Sequence, residues 1–179
     1  MEPISEELVE ATWQEFATFS PLRAQKETKQ VNKAQPYLLT FIVEFTRDLD
    51  QEVTELAVYM FYVVCRMFQK SSKGKIKTIS PEEVISCYEK NERLVESLEG
   101  AHEKFWERIA QVQLSAQPHV MKYVIETLLE TSQEDFSIVL SEEDTGYLFL
   151  LFKTVVDLLD GALRSGQEGC RNGQGNNAV

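Results

Sequence analysis

A ten-residue stretch of this chain recurs with its landmark residues in place. Gln35-Pro36-Tyr37-Leu38-Leu39-Thr40-Phe41-Ile42-Val43-Glu44 aligns with Gln117-Pro118-His119-Val120-Met121-Lys122-Tyr123-Val124-Ile125-Glu126, with Gln, Pro and Glu identical and apolar positions answering apolar. Each copy leads into a second apolar segment: Leu49 to Thr54 and on to Phe61 and Val64 lies over Leu140 to Thr145 and on to Phe152 and Val155. Self-similarity at this scale constrains architecture, because a repeated unit that cannot bury its apolar face alone buries it against its copy. A weaker echo sets Trp13-Gln14-Glu15-Phe16-Ala17 against Trp106-Glu107-Arg108-Ile109-Ala110, which makes each unit three helices. The expectation is an all-α bundle of about six helices, an internal duplication with pseudo-twofold symmetry. Repeat 1 spans about 5–72 and repeat 2 about 81–163, together one domain over 1–163.

Helices rather than strands follow from the scarcity of turn formers. Only eight Gly and five Pro occur in 179 residues, and half of the glycines lie in the last fourteen, so the body lacks the punctuation that many short strands require. Ser5 followed by Glu6 and Glu7 starts a first helix, with Leu8, Val9, Thr12, Trp13, Phe16 and Phe19 forming its stripe until Ser20-Pro21 stops it. Residues 22–34 are polar and mostly basic and read as a linker or a loosely docked short helix. Pro36 opens the next helix, where its missing N–H costs nothing. The phase of Leu38, Phe41, Ile42 and Phe45 runs on through Leu49 and Val53, but the second copy holds nine extra residues between Thr131 and Leu140. A continuous helix does not absorb such an insertion, so a break is predicted near Leu49-Asp50.

Ser80-Pro81-Glu82-Glu83 is a strong start signal, with a capping serine, a proline in the first helical position and a glutamate that reaches back. From it a heptad seam runs through Val84, Tyr88, Asn91, Val95, Leu98, His102, Phe105, Ile109 and Val112, interrupted by Gly100. Pro118 and Ser141 open the last two helices. Beyond Leu163 the Gly/Asn-rich residues 164–179 offer almost nothing apolar and are expected to be a disordered tail.

The function classes that survive are few. Three scattered cysteines without CxxC spacing point to reduced thiols and a cytoplasmic protein. The acidic N-terminal residues contain no apolar leader, and the longest apolar run, Leu56 to Phe68, is interrupted by Arg66 and falls short of the roughly 20 residues a membrane span needs. No glycine-rich phosphate loop, no G-x-S-x-G and no Cys/His pair with a supporting acid is present. No cofactor is implied. Glu99 and His102 share a helix face and form half of the E-x-x-H pattern of carboxylate-bridged metal sites. Such sites need two of these steps and further carboxylates, and the chain holds only two histidines, so a core histidine bonded to a neighbour is the simpler account of His102 on the seam. Asn91 on the same seam is read as a register-fixing amide. Glu44 and Glu126, paired by the repeat, fall on polar faces and read as solvated surface.

Charge is unevenly spread. Residues 20–36 carry +3 through Arg23, Lys26, Lys29 and Lys33 against Glu27, and residues 66–80 carry +5, leaving −19 on the remainder of a chain whose net charge is −11. An acidic body repels polyanions, which argues against general nucleic-acid binding. Lys70, Lys73, Lys75 and Lys77 are the candidate partner-binding residues. The leading expectation is a non-catalytic protein-interaction module that binds another protein or itself as a homodimer, through the outer faces of the helices containing Tyr59 to Phe68 or Tyr147 to Phe152, or through that basic loop. The alternatives are a metal-binding or bundle enzyme centred on Glu99 and His102, and a binder of an apolar small molecule between the two repeats.

Overall fold

Short polar side chains and prolines mark nearly every helix start. In the computed structural model, residues 2–72, 76–99, 115–131, 138 and 140–172 are described; among them are seven α-helices and no strand. Ser5 caps α1 (Glu6–Ala17), its hydroxyl accepting from the Leu8 amide, and Ser20 caps α2 (Pro21–Ala34) through the Arg23 amide. Pro36 occupies the first turn of α3 (Pro36–Thr46). The predicted break is real: α3 ends at Thr46 and α4 (Gln51–Ser71) begins five residues later. The Thr54 hydroxyl donates to the Thr46 carbonyl at 2.8 Å and so closes the corner. At α5 (Pro81–Glu99) the capping box forms in both directions, with Ser80 N–H donating to Glu83 Oε2 at 2.8 Å and Glu83 N–H to Ser80 Oγ at 3.2 Å. After α6 (Pro118–Thr131), Ser141 and Asp144 make the same reciprocal arrangement at the start of α7 (Glu142–Asn172).

The core sits around α4 and α7, which pack on each other. Phe61, Phe68, Phe149 and Phe152 are fully buried there, with Leu38 and Ile42 from α3 and Val124 and Leu128 from α6. Helices α1 and α3 flank α4, and α5 and α6 flank α7. Besides the contacts of α4 with α7 and α6, α1 packs on α6 and α3 packs on α5 across the two halves. Burial accounts for the apolarity of α4 and α7 on nearly every side.

Two elements differ from the sequence expectation. Residues 22–34 are a full helix, which raises the count above six. Only Val31 of α2 is buried, so its docking rests on polar pairs that periodicity does not reveal: Tyr62 OH donates to Asn32 Oδ1 at 2.8 Å and Arg66 Nη1 to Glu27 Oε2 at 3.1 Å. The chain also stays helical past Leu163, where the tail was expected to begin, as far as Asn172. Extending a formed helix adds one hydrogen bond per residue ordered and needs no new nucleus, and Arg164 Nε donates to Asp160 Oδ2 one turn back at 2.7 Å. Residues 173–179 lie outside the described residues.

Candidate interaction face and cleft

Polar side chains inside a helical core are costly unless bonded, so their partners show which are structural. Gln35 and Gln117, identical in the repeated stretch, are both buried. Gln35 Oε1 accepts from the Ile79 amide at 3.1 Å and its Nε2 donates to the Lys77 carbonyl at 2.8 Å. Gln117 Oε1 accepts from the Ile4 amide at 2.8 Å and its Nε2 donates to Asp160 Oδ1 at 2.7 Å. Each glutamine thus clamps the segment that leads into a capped helix. Asn91 is buried as the seam suggested, its amide donating to Thr154 Oγ1 at 3.3 Å and Asp157 Oδ2 at 3.1 Å. Lys153, buried in the apolar stretch of α7, donates to the same Asp157 oxygen at 2.6 Å. These groups satisfy one another.

The lysines predicted to bind a partner are divided among different acids. Lys70 pairs with Glu15 of α1, which also accepts from Arg23, and the Lys70 hydrogen bond foremost holds the Glu15 carboxyl below its ordinary range. Lys77 lies 3.2 Å from Glu83 Oε1 of α5. The bond from the Ser80 amide, ahead of Lys77, likewise lowers the Glu83 carboxyl. Lys73 and Lys75 lie outside the described residues, as do the Glu99 side chain and His102. Among the described residues, no three His, Cys, Asp or Glu side chains converge in a group able to hold a metal. Glu44 and Glu126 are exposed.

The second basic segment has a geometry that the first lacks. Leu22, Lys26, Lys29 and Lys33 follow steps of four, three and four and therefore share one side of α2, and all four are exposed. Together with Gln25 and Gln30 they line a shallow groove along the helix. Leu22 is 78% exposed. The three lysines make no ion pair among the described residues, in contrast to Arg23, which pairs with Glu15 and covers the Phe19 ring at 3.9 Å. The signal was present in the sequence as a +3 segment with lysines at helical spacing, opened by Ser20-Pro21 much as Ser80-Pro81 opens α5.

At the C-terminal end of that face the surface deepens into a cleft of about 620 Å³ between α2, α4 and residues 76–78. Cys65, Ile76 and Leu159 supply apolar walls, and Lys33, Arg66 and Gln69 are among its polar lining. Burial pushes the Cys65 thiol up, so it is neutral and adds no charge. The Arg66 guanidinium donates through Nη1 to Glu27, and its buried Nε has no hydrogen-bond partner. Among the described residues, no helix is long and apolar enough to cross a membrane. The chain matches no known family model, no curated protein and no solved structure.

Proposed function

We propose that the protein is a non-catalytic, cytoplasmic interaction module that receives an acidic segment of a partner protein on the exposed side of α2. The observation that carries this reading is the row of Lys26, Lys29 and Lys33 beside the exposed Leu22, three cations without ion pairs among the described residues on a chain of net charge −11. A local positive strip on an acidic body attracts an acidic partner and repels most other surfaces, which favours selectivity and rate of encounter. Of the apolar residues on α4 and α7, Phe61, Phe68, Phe149 and Phe152 are buried in the core, whereas Tyr59 is exposed and Tyr62 and Tyr147 are partly so.

The test is fluorescence anisotropy of a labelled glutamate-rich peptide with the full chain. Binding that weakens with added salt is expected, lost in the triple variant Lys26→Glu, Lys29→Glu, Lys33→Glu and kept in a charge-matched control, Arg47→Glu, Lys90→Glu, Arg93→Glu. Equal loss in both triple variants, or no binding to the unmodified chain, refutes the reading.

The internal duplication is part of the same proposal, and the burial pattern supports it. Leu38, Ile42 and Thr46 of α3 match Val120, Val124 and Leu128 of α6, and all six are buried. Ala57, Met60, Phe61, Val64 and Phe68 of α4 match Leu148, Leu151, Phe152, Val155 and Leu159 of α7, again all buried. The matched clamps of Gln35 and Gln117, and the paired packing of α1 on α6 and α3 on α5, fit two units related by an approximate twofold axis.

A further inference from the structure

We propose that the cleft between α2, α4 and residues 76–78 binds a small amphipathic monocarboxylate, its acid group at Lys33 and Arg66 and its apolar part against Ala34 and Ile76, above the buried Cys65 and Leu159. The cleft volume of about 620 Å³ falls in the range of small-molecule sites, which pair apolar walls with a few placed polar groups. Charge selects the headgroup. Among the described residues two cations line the cleft, and the one carboxylate bonded to either of them, Glu27, already takes one nitrogen of Arg66. The excess over these residues is close to one positive charge, which matches a monoanion. Arg66 keeps a buried N–H without a partner, and such a group is costly to leave unmade. Lys33 makes no ion pair among the described residues, and the amide of Gln69 adds a neutral donor on the same wall. The walls select the tail: Ala34 and Ile76 are partly exposed in the cleft, and the neutral thiol of Cys65 with Leu159 of α7 forms its buried apolar floor.

The proposal stands apart from peptide docking on α2, with which it shares only the Lys33 end of the groove. The probe is octanoate, titrated into the methyl-labelled full chain, with octylammonium and 1-octanol as matched tails of other charge. Octanoate is expected to shift the Ile76 and Leu159 methyl signals saturably, 1-octanol at least tenfold more weakly, and octylammonium not at all. Lys33→Glu is expected to weaken octanoate at least tenfold while the remaining spectrum stays unchanged. Gln69→Glu, which sets a like charge on the wall one turn from Arg66, is expected to do the same. The pair Lys26→Glu, Lys29→Glu removes peptide binding and spares octanoate if the two sites are separate. Absence of a saturable shift at Ile76 and Leu159, equal response to octylammonium, or unchanged affinity in both Lys33→Glu and Gln69→Glu overturns the assignment.

Discussion

Replacing Gln35 with methionine keeps the length and apolar volume of the side chain and deletes two hydrogen bonds. The Ile79 amide, on a residue only 3% exposed, loses its acceptor, and a buried donor left unpaired costs about 1–3 kcal/mol. The Lys77 carbonyl loses its donor as well, but Lys77 is exposed and water replaces most of that bond, which adds about 0.5–1 kcal/mol. The expected destabilisation of Gln35→Met is therefore about 2–4 kcal/mol. Gln117→Met should fall in the same range, since it orphans the Ile4 amide, equally buried, and removes one of the two donors to Asp160. For a chain of this size each kcal/mol lowers Tm by about 2–4 °C, so a drop of about 5–15 °C is expected for either variant. Urea unfolding followed by far-ultraviolet circular dichroism gives the free energies, with Thr40→Val as control because Thr40 bonds only its own helix, through the Pro36 carbonyl. Amide exchange adds a local readout: Ile79 should exchange faster in Gln35→Met and Ile4 faster in Gln117→Met. If either variant lies within 0.5 kcal/mol of the unmodified chain, the clamps are incidental and the reasoning fails.

Three further outcomes are expected. Lys153→Met strands the Asp157 carboxylate at the α5–α7 contact and should cost about 2–3 kcal/mol, below the full range for a buried pair because Asp157 is 26% exposed; the double variant Lys153→Met, Asp157→Leu should recover at least half of that in denaturant titration. Glu15 has its carboxyl lowered by Lys70, so its contribution is present above the unfolded value of about 4.3 and is lost as pH falls through the lower folded value; Glu15→Gln should flatten the stability curve between about pH 5 and pH 3, and an unchanged acid limb would contradict the pairing. In a Cys170→Ser background, Cys87, half-buried, should react with a thiol-specific disulfide reagent in the folded state, whereas Cys65, fully buried with its thiol pushed up, should react only on unfolding; prompt reaction of two thiols would show that the core around α4 opens.

What was legible in the sequence was local. Ser80-Pro81-Glu82-Glu83, Pro36, Pro118 and Ser141 each announce a helix through chemistry confined to four residues, and each is found at a helix start. The break after Thr46 was legible because the two copies differ in the length of their linker. Asn91 was legible as a polar member of an apolar seam. The helical state of residues 21–34 was not, because the pairs that dock α2, Asn32 with Tyr62 and Glu27 with Arg66, join residues 30 and 39 positions apart. The same limit hid the interaction face. Its lysines were counted as a charge excess, but only a helix places Lys26, Lys29 and Lys33 side by side. The choice of Lys70 and Lys77 failed to foresee Glu15 and Glu83 for the corresponding reason, since one of those acids arrives from α1, far along the chain.

The buried amides explain how so apolar a bundle adopts one arrangement. Helices α4 and α7 present large aliphatic and aromatic side chains whose packing tolerates rotation and exchange of partners, because apolar contact is non-directional. A glutamine that must bond one amide and one oxygen has a single acceptable position. Gln35, at the head of α3, fixes where the segment entering α5 lies, and Gln117, at the head of α6, fixes where the segment entering α1 lies. Both bonds run between halves of the chain, over sequence separations of 44 and 113 residues. A packing in which the two halves slid relative to one another could bury much the same aliphatic surface and would leave the Gln35 amide and both isoleucine amides unpaired, while Gln117 kept only its bond to Asp160. At about 1–3 kcal/mol for each such group, the difference is comparable with the whole stability of an ordinary domain. Two polar side chains thus contribute directly to the specificity of assembly, beside the Asn91–Asp157–Lys153 group at the α5–α7 contact.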